Sequence, residues 1–573
     1  MHIVKHAFFL LCSVLISFSA CAQREHAKTP PPQQVNNTPK EDAQQAAARR
    51  QWVDSVYVSM NQSERIGQLF MVAAYSGGKN FNQPDIEQLL RKRQIGGLIF
   101  MQGGAGRQAA LTNRYQQMAH VPLLIGMDAE WGLGMRLDSV INFPRQMLLG
   151  ATRDSALVFQ MGQLIAEQCR RLGVHVNFAP DVDVNNNPNN PVISFRAFGE
   201  DKHLVSRLGI AYMNGLQSRG VMACAKHFPG HGDVSVDSHK DLPVISKSKA
   251  QLDTLELYPF KQLIKAGVQS VMVAHLSVPA LEKEANVPTT LSKNTITGLL
   301  KNEMGFEGLI FTDAMNMQGV AKYFPAGEAD YRAFMAGCDV LLFSQDVPTS
   351  ISKINEAVNN GKISQAELER RVKKILRAKY NAGLSEPVQL QVSGATEDLN
   401  KQTLAFNNDA ARKALTLVRD DNKIWPMLSR PGLKIAYVGV NGQLDKDLQD
   451  ALKSKWAGIR FYELPKGSGS VPFQQALKGY DVVIVGIHNL PMYPTKTFGL
   501  SEVQRNFLTH AAASNNTALA LLGNAYAVKL CCKARTLLVG YEDGVWTQKA
   551  LMDALTGRLQ PRGVLPVHTD CLK

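Results

Sequence analysis

Met222-Ala223-Cys224-Ala225-Lys226-His227-Phe228 begins as a run of small and apolar residues and ends in two cationic side chains. Bounded on both sides by segments of helical period, such a run reads as a strand buried on both faces, with Lys226 and His227 at its C-terminal end. The pattern recurs outward in both directions, at Gly67–Ala74, Ile95–Met101, Pro122–Asp128, Val174–Asp181, Ser270–Leu276, Gly308–Ala314 and Cys338–Ser344. Between these runs lie amphipathic stretches, among them Gln83–Arg93, Leu157–Arg171, Leu204–Arg219 and Leu252–Ala266, which are the crossovers that parallel strands need. Eight strand–helix units predict a (β/α)8 TIM-type barrel over residues 51–384, closing with a helix at Gln365–Tyr380 and Gly383. Asp128, Asp181, His227, His275, Asp313 and Ser344 all fall at or just past strand ends, the face on which such barrels build their sites. Residues 385–405, with Pro387, Gly394, Glu397 and Asp398, read as a linker. The apolar runs Ile435–Val440, Val482–Ile487, Ala518–Leu522 and Thr536–Gly540 then predict a smaller open α/β domain over 406–573.

The chain has 573 residues, 45% hydrophobic and 20% charged, enough to build more than one core and too apolar to be mostly disordered. Its net charge of +14 is concentrated at the two ends, because residues 51–400 carry 35 basic and 33 acidic side chains. The remaining excess forms no long basic run, so a solvated basic face is the expected reading and no nucleic-acid partner is expected. The N-terminus has Lys5, an apolar run Ala7–Ala20 and small residues around Cys21, the layout of a signal peptide over 1–21. Phe18-Ser19-Ala20-Cys21 predicts lipidation of Cys21 and an exported, periplasmic, outer-membrane lipoprotein on a Pro- and Gln-rich tether over 22–50. Ala20-Cys21-Ala22 fits the alternative, cleavage to a soluble secreted protein; in either case the only expected membrane contact is an N-terminal lipid. Cys169, Cys224, Cys338, Cys531, Cys532 and Cys571 are scattered without Cys-x-x-Cys spacing, which indicates neither a disulfide framework nor a zinc–thiolate site.

Two constellations carry chemistry. Lys226-His227-Phe228-Pro229-Gly230-His231-Gly232, followed by Asp237-Ser238-His239, places three imidazoles, an ammonium and a carboxylate within fourteen residues of one strand end. A carboxylate two residues from an imidazole can orient it and stabilise its cation, which suits general acid–base work. Gly308-Leu309-Ile310-Phe311-Thr312-Asp313 is an apolar strand ending in a carboxylate at the barrel mouth, a candidate nucleophile for glycosyl transfer.

These residues resemble the signature of the bacterial β-N-acetylglucosaminidases (β-N-acetylhexosaminidases) of glycoside hydrolase family 3, over about Trp52–Leu384. The resemblance implies a retaining exo-glycosidase that needs no cofactor or metal and removes terminal β-linked N-acetylglucosamine, with peptidoglycan fragments (muropeptides) as the expected substrates. It implies Asp313 as nucleophile, His239 as general acid/base and Asp237 as the partner of His239. It also implies that Asp128, Arg196, Lys226 and His227 bind the sugar, and that the barrel suffices for catalysis. Ala129 and Trp131 depart from the family's frequent Glu and Gly, while Gly557-Arg558-Leu559 and Gly563-Val564-Leu565-Pro566 are similar to its C-terminal domain. Three alternatives stand beside this reading. A metal-dependent amidohydrolase would need several His and carboxylate ligands, but the first strand ends Met71-Val72-Ala73-Ala74 without His-x-His. A non-catalytic cell-wall-binding lipoprotein is the second, and a phosphorolytic variant of the glycosidase is the third, since an imidazole repels phosphate less than a carboxylate does.

Overall fold

The computed structural model describes residues 42–569 except 465, 468–474 and 476. The proposed signal peptide, Cys21 and most of the proposed tether therefore lie outside the described residues. Among the described residues, no helix is long and apolar enough to cross a membrane.

Eight parallel strands form the barrel of the first sheet: β1 (Phe70–Ser76), β2 (Gly97–Gly104), β3 (Leu124–Met127), β4 (Val176–Asn177), β5 (Met222–Phe228), β6 (Ser270–Val273), β7 (Leu309–Thr312) and β8 (Leu341–Leu342); a ninth, two-residue strand at Leu137–Asp138 pairs with the end of β2 outside this path. Each of the eight pairs with its sequence neighbour, and β8 returns to β1 through Phe70↔Leu341 and Met71↔Leu342. A bridge between Phe311 and Val340 brings β7 against the residue preceding β8, so the barrel closes. The strands are apolar on both faces because the lumen is filled by side chains and the outside is covered by helices.

Several expected strands overrun the ladder. Val174–Asp181 keeps only β4, because Pro180 has no N–H to give, and pairing resumes at the bridge Asp181↔Lys226. The helices follow their caps. Asp154 accepts the amides of Ala156 and Leu157 ahead of Ser155–Arg171, and Asp201 accepts that of His203 ahead of Lys202–Gln217. These two helices pack closely at Gly162, where a Cβ would lie 2.5 Å from the Tyr212 carbonyl oxygen. The stretch Leu252–Ala266, expected as one helix, is two: Lys249–Thr254 and Leu257–Lys265. Pro259 cannot donate to the carbonyl four residues back and its ring crowds that position, so the first helix stops there.

The segment expected to be a linker is packed. Ala395–Asn400 is helical, Leu399 is buried with its carbonyl accepting Gln168 Nε2 at 2.7 Å, and Arg171 binds Asp398 and the carbonyls of Gln391 and Ser393.

The second sheet has the order β9-β14-β13-β12-β10-β11, with β9 (Thr416–Asp420), β10 (Ile435–Val440), β11 (Arg460–Leu464), β12 (Val482–Ile487), β13 (Thr517–Leu521) and β14 (Thr536–Val539). Only β9 runs antiparallel, against β14. The edge strands β9 and β11 escaped the sequence reading because they are partly exposed and polar, without the continuous apolar run of β10, β12, β13 and β14. One buried cluster runs from the barrel helices into this domain through Ala436, Val438, Val483, Val485 and Leu519.

Candidate active site

The floor of the barrel mouth is a network of charges. Asp128 follows β3 and Lys226 closes β5; Lys226 Nζ lies 2.8 Å from both Asp128 Oδ1 and Glu130 Oε1. Arg136 donates to Asp128 Oδ2 at 2.9 Å, and Arg196 grips Glu130 bidentately, Nε to Oε2 at 2.9 Å and one terminal nitrogen to Oε1 at 2.6 Å. Burial opposes charge on Asp128, but Lys226 and Arg136 outweigh it and hold its carboxyl at about 2. Burial likewise disfavours the Lys226 ammonium, and Asp128 and Glu130 overcome it, so the amine stays protonated. The network is therefore a set of fixed donors and acceptors at working pH, suited to sorting the hydroxyls of a sugar.

His227 is locked behind this floor. Its Nδ1 is 2.7 Å from Asp183 Oδ2, and Asp183 Oδ1 accepts the amide of His231 at 2.6 Å. This leaves Nε2 of His227 beside Arg196, 3.2 Å away. Burial and the neighbouring Asp183 push the Asp181 carboxyl well above its ordinary value, whereas the His227 ring overcomes burial at Asp183 and lowers it. Asp181, Asp183 and His227 stand close enough together to ligate one metal ion. Asp183 accepts from His227 and His231, whereas Asp181 Oδ2 is buried without a hydrogen-bond partner among the described residues and faces Arg196 only at 3.6 Å.

Asp313 follows β7 and accepts the Ala314 amide at 2.7 Å. Burial alone would raise its carboxyl, yet the rings of His275 and His227 and the Ala314 amide more than compensate, leaving it below the usual carboxylate value. Asp237 and His239 lie on the loop after β5. Asp237 Oδ1 accepts both the His239 amide and His239 Nδ1, each at 2.9 Å, which points the remaining ring nitrogen away from the pair. The His239 side chain is 68% exposed.

A cavity of about 390 Å³ unites these groups: Asp128, Arg196, Lys226, His227, His239 and Asp313 all line it. Asp237 is not in its lining and stands behind His239. His275 and Ser344, also noted at strand ends, lie elsewhere: His275 is buried against the Ala314 carbonyl and Ser344 hydrogen-bonds Asp330. His231, one of the three imidazoles of the strand-end motif, also lines the cavity, as do Glu130 and Tyr493, which had not been singled out in the sequence, and Asp183 supports it from behind. Glu130 and Asp183 had a signal, each being an acid two residues beyond a strand-end acid and hence on the same side in extended chain. Tyr493 had none, since it comes from the second domain. The cavity is therefore not built by the barrel alone.

The second domain also holds the loop that carries Arg196. Asn524 Nδ2 donates to Ser194 Oγ at 2.9 Å; Asn185 Nδ2 donates to the Tyr526 hydroxyl at 2.6 Å, and that hydroxyl donates to the Asn185 carbonyl at 3.0 Å. Asn185 Oδ1 in turn accepts the Ser194 amide at 2.9 Å.

A half-buried carboxylate held below its ordinary pKa and an oriented imidazole, facing one cavity at the C-terminal mouth of a TIM barrel, are the parts that a glycoside hydrolase requires. The family model for the glycosyl hydrolase family 3 N-terminal domain matches residues 62–378, and the chain belongs to that family. It is 27% identical over 547 residues to a beta-N-acetylglucosaminidase/beta-glucosidase of Cellulomonas fimi, covering 91% of this chain and 96% of the relative. A beta-hexosaminidase A of Pseudoalteromonas piscicida is 31% identical over 370 residues, 59% of this chain and 62% of that protein's length. Among solved structures, a family 3 beta-N-acetylglucosaminidase from Paenibacillus sp. superposes with a TM-score of 0.72 at 30% identity, over 89% of this chain and 99% of that one.

Proposed function

We propose that this family 3 hydrolase is a retaining exo-β-N-acetylhexosaminidase working through a covalent glycosyl-enzyme on Asp313. The observation that carries the reading is the pairing, in one cavity, of a half-buried carboxylate held below its ordinary pKa with an imidazole whose Nδ1 is tied to a carboxylate. In the first step the Asp313 carboxylate bonds to the anomeric carbon as the bond to the leaving oxygen breaks. His239, protonated, gives its proton to that oxygen. In the second step His239 takes a proton from water, water attacks the anomeric carbon, and the ester to Asp313 breaks with restored β configuration. Asp237 fixes the ring through Nδ1. Asp128, Arg196, Lys226 and His227 hold the sugar by its hydroxyls. The activities by which the Cellulomonas, Pseudoalteromonas and Paenibacillus relatives are named support N-acetylhexosamine as the sugar. Peptidoglycan fragments are the proposed source, on the strength of the N-terminal leader pattern and the lipidation candidate Cys21.

A panel of chromogenic β-glycosides and muropeptides tests this, followed by NMR of the first sugar released and run with and without phosphate. The expected product is N-acetylglucosamine, initially β, at a rate indifferent to phosphate. Initial α-sugar refutes retention, and a sugar phosphate shows phosphorolysis. Asp313→Asn should lose several orders of magnitude in turnover with the fold intact, because an amide neither attacks nor stabilises the developing cation. Near-wild-type turnover would remove Asp313 from the mechanism.

A further inference from the structure

The cavity wall has one component that the family chemistry above leaves without a task. Tyr493 follows β12 on the segment Asn489-Leu490-Pro491-Met492-Tyr493-Pro494. That segment is well fastened: the Asn489 amide donates to Asp543 at 2.9 Å, Leu490 is buried, and the Met492 carbonyl accepts from Asn524. Prolines on either side of Met492-Tyr493 restrict it further. Despite this anchoring Tyr493 itself is 43% exposed.

Behind it stands a rigid aromatic backing. Tyr493 meets Phe195 edge-on at 5.0 Å between centroids, and Phe195 meets Trp131 at 5.9 Å. Phe195 and Trp131 are both buried, and the Arg145 guanidinium lies over both rings, 5.1 Å from Trp131 and 5.6 Å from Phe195. Arg145 is itself held from the second domain, its amide donating to Glu542 Oε1 at 2.7 Å. An exposed ring on a fixed support, in the lining of a sugar-sized cavity and next in space to the residue preceding Arg196, is poorly explained as packing. Part of the ring is left open in the cavity while Phe195 covers the rest of it. A pyranose presents just the complement: polar hydroxyls round its rim for the Asp128–Lys226–Arg196 network, and C–H bonds on its faces for the electron-rich face of an aromatic ring.

We propose that Tyr493, supplied by the second domain, is a substrate-binding residue that stacks on the terminal N-acetylhexosamine in this cavity, which makes the second domain part of the sugar site. The inference rests on the proposed function above and assigns it a further residue. Burial raises the phenol, with Glu130 and Asp237 acting in the same direction and Arg196 against, so the ring stays neutral and its face stays available at working pH.

The test measures KM and kcat on an aryl β-N-acetylglucosaminide, and the inhibition constant of free N-acetylglucosamine, for the full chain and for Tyr493→Phe, Tyr493→Leu and Tyr493→Ala. The leucine variant keeps Phe195 covered, so a general loss of packing is separated from loss of the flat face. The expected result is Tyr493→Phe within about twofold of wild type, while the other two raise both KM and the inhibition constant roughly five- to tenfold, the size of one aromatic face contact, with kcat nearly unchanged. An unchanged inhibition constant in Tyr493→Ala overturns the assignment, because free sugar probes only the terminal-sugar pocket. A phenylalanine variant as impaired as the alanine one overturns stacking in favour of the hydroxyl. A wild-type chain that does not turn over the aryl N-acetylglucosaminide but does turn over another β-glycoside fails the proposed function instead.

Discussion

At Asp313 the protein keeps a negative charge where burial alone would neutralise it, and at His239 it keeps an imidazole in contact with water. In the proposed mechanism the two groups have opposite demands: the proposed nucleophile needs a fixed setting, while the proposed acid/base must exchange protons twice per turnover. The division predicts how variants at the loop fail. His239→Ala should be impaired most on substrates with basic leaving groups, and on activated aryl substrates added azide, which needs no base, should partly restore its turnover. Azide should not restore Asp313→Asn. Asp237→Asn should fall between wild type and His239→Ala, since the ring remains but loses the charge that orients it at 2.9 Å. Equal loss of His239→Ala on good and poor leaving groups, with no azide effect, would assign the acid/base to another side chain. Lys226, His227, Asp237 and His239 were legible in the sequence because one strand end and its loop carry them all. Glu130 and Tyr493 were harder, because their roles depend on partners far along the chain, Arg196 and Phe195.

Among the elements, the loop 185–196 matters most to the site, since it carries Arg196 yet has no strand or long helix of its own. It is held from outside the barrel by Asn524 and Tyr526, both buried. Tyr526→Phe removes a hydroxyl that donates to one Asn185 atom and accepts from another, leaving buried groups unpaired at a cost of about 1–3 kcal/mol. Tyr526→Phe and Asn524→Ala should raise KM roughly three- to tenfold with kcat changed less than about twofold, because the loop they steer carries Arg196, a proposed sugar-binding residue, and carries neither Asp313 nor His239. Steady-state kinetics beside a thermal melt checks this, and an unchanged KM would mean that the loop holds Arg196 without them. Sequence patterning found the elements built on a buried run, such as β5, β10 and β12, whose bounds it placed correctly. It missed β9 and β11, whose exposed edges permit polar residues, and it ran past the helix break before Pro259 because apolar periodicity continues through it.

Over the whole molecule, barrel and second domain share one buried apolar cluster and are joined by backbone pairing as well, Val564 N to Ala151 O at 2.9 Å and Glu200 N to Pro566 O at 3.1 Å. Calorimetry should accordingly show residues 48–569 melting in a single cooperative transition, and two resolved transitions would show that the halves are thermodynamically independent. The eight-stranded closure and the second sheet were legible from the spacing of apolar runs, whereas the grip between the two halves was not, being made of single side chains such as Asn524, Tyr526 and Glu542. That grip bears on biosynthesis. Asn524 holds a serine 330 residues earlier, and Tyr526 an asparagine 341 residues earlier. A ribosome completes the barrel's own sequence well before either partner exists. The nascent barrel therefore emerges with Asp313 and His239 already encoded but with the loop of Arg196 unheld and the Tyr493 wall missing, and the pocket matures only when almost the entire chain has been made.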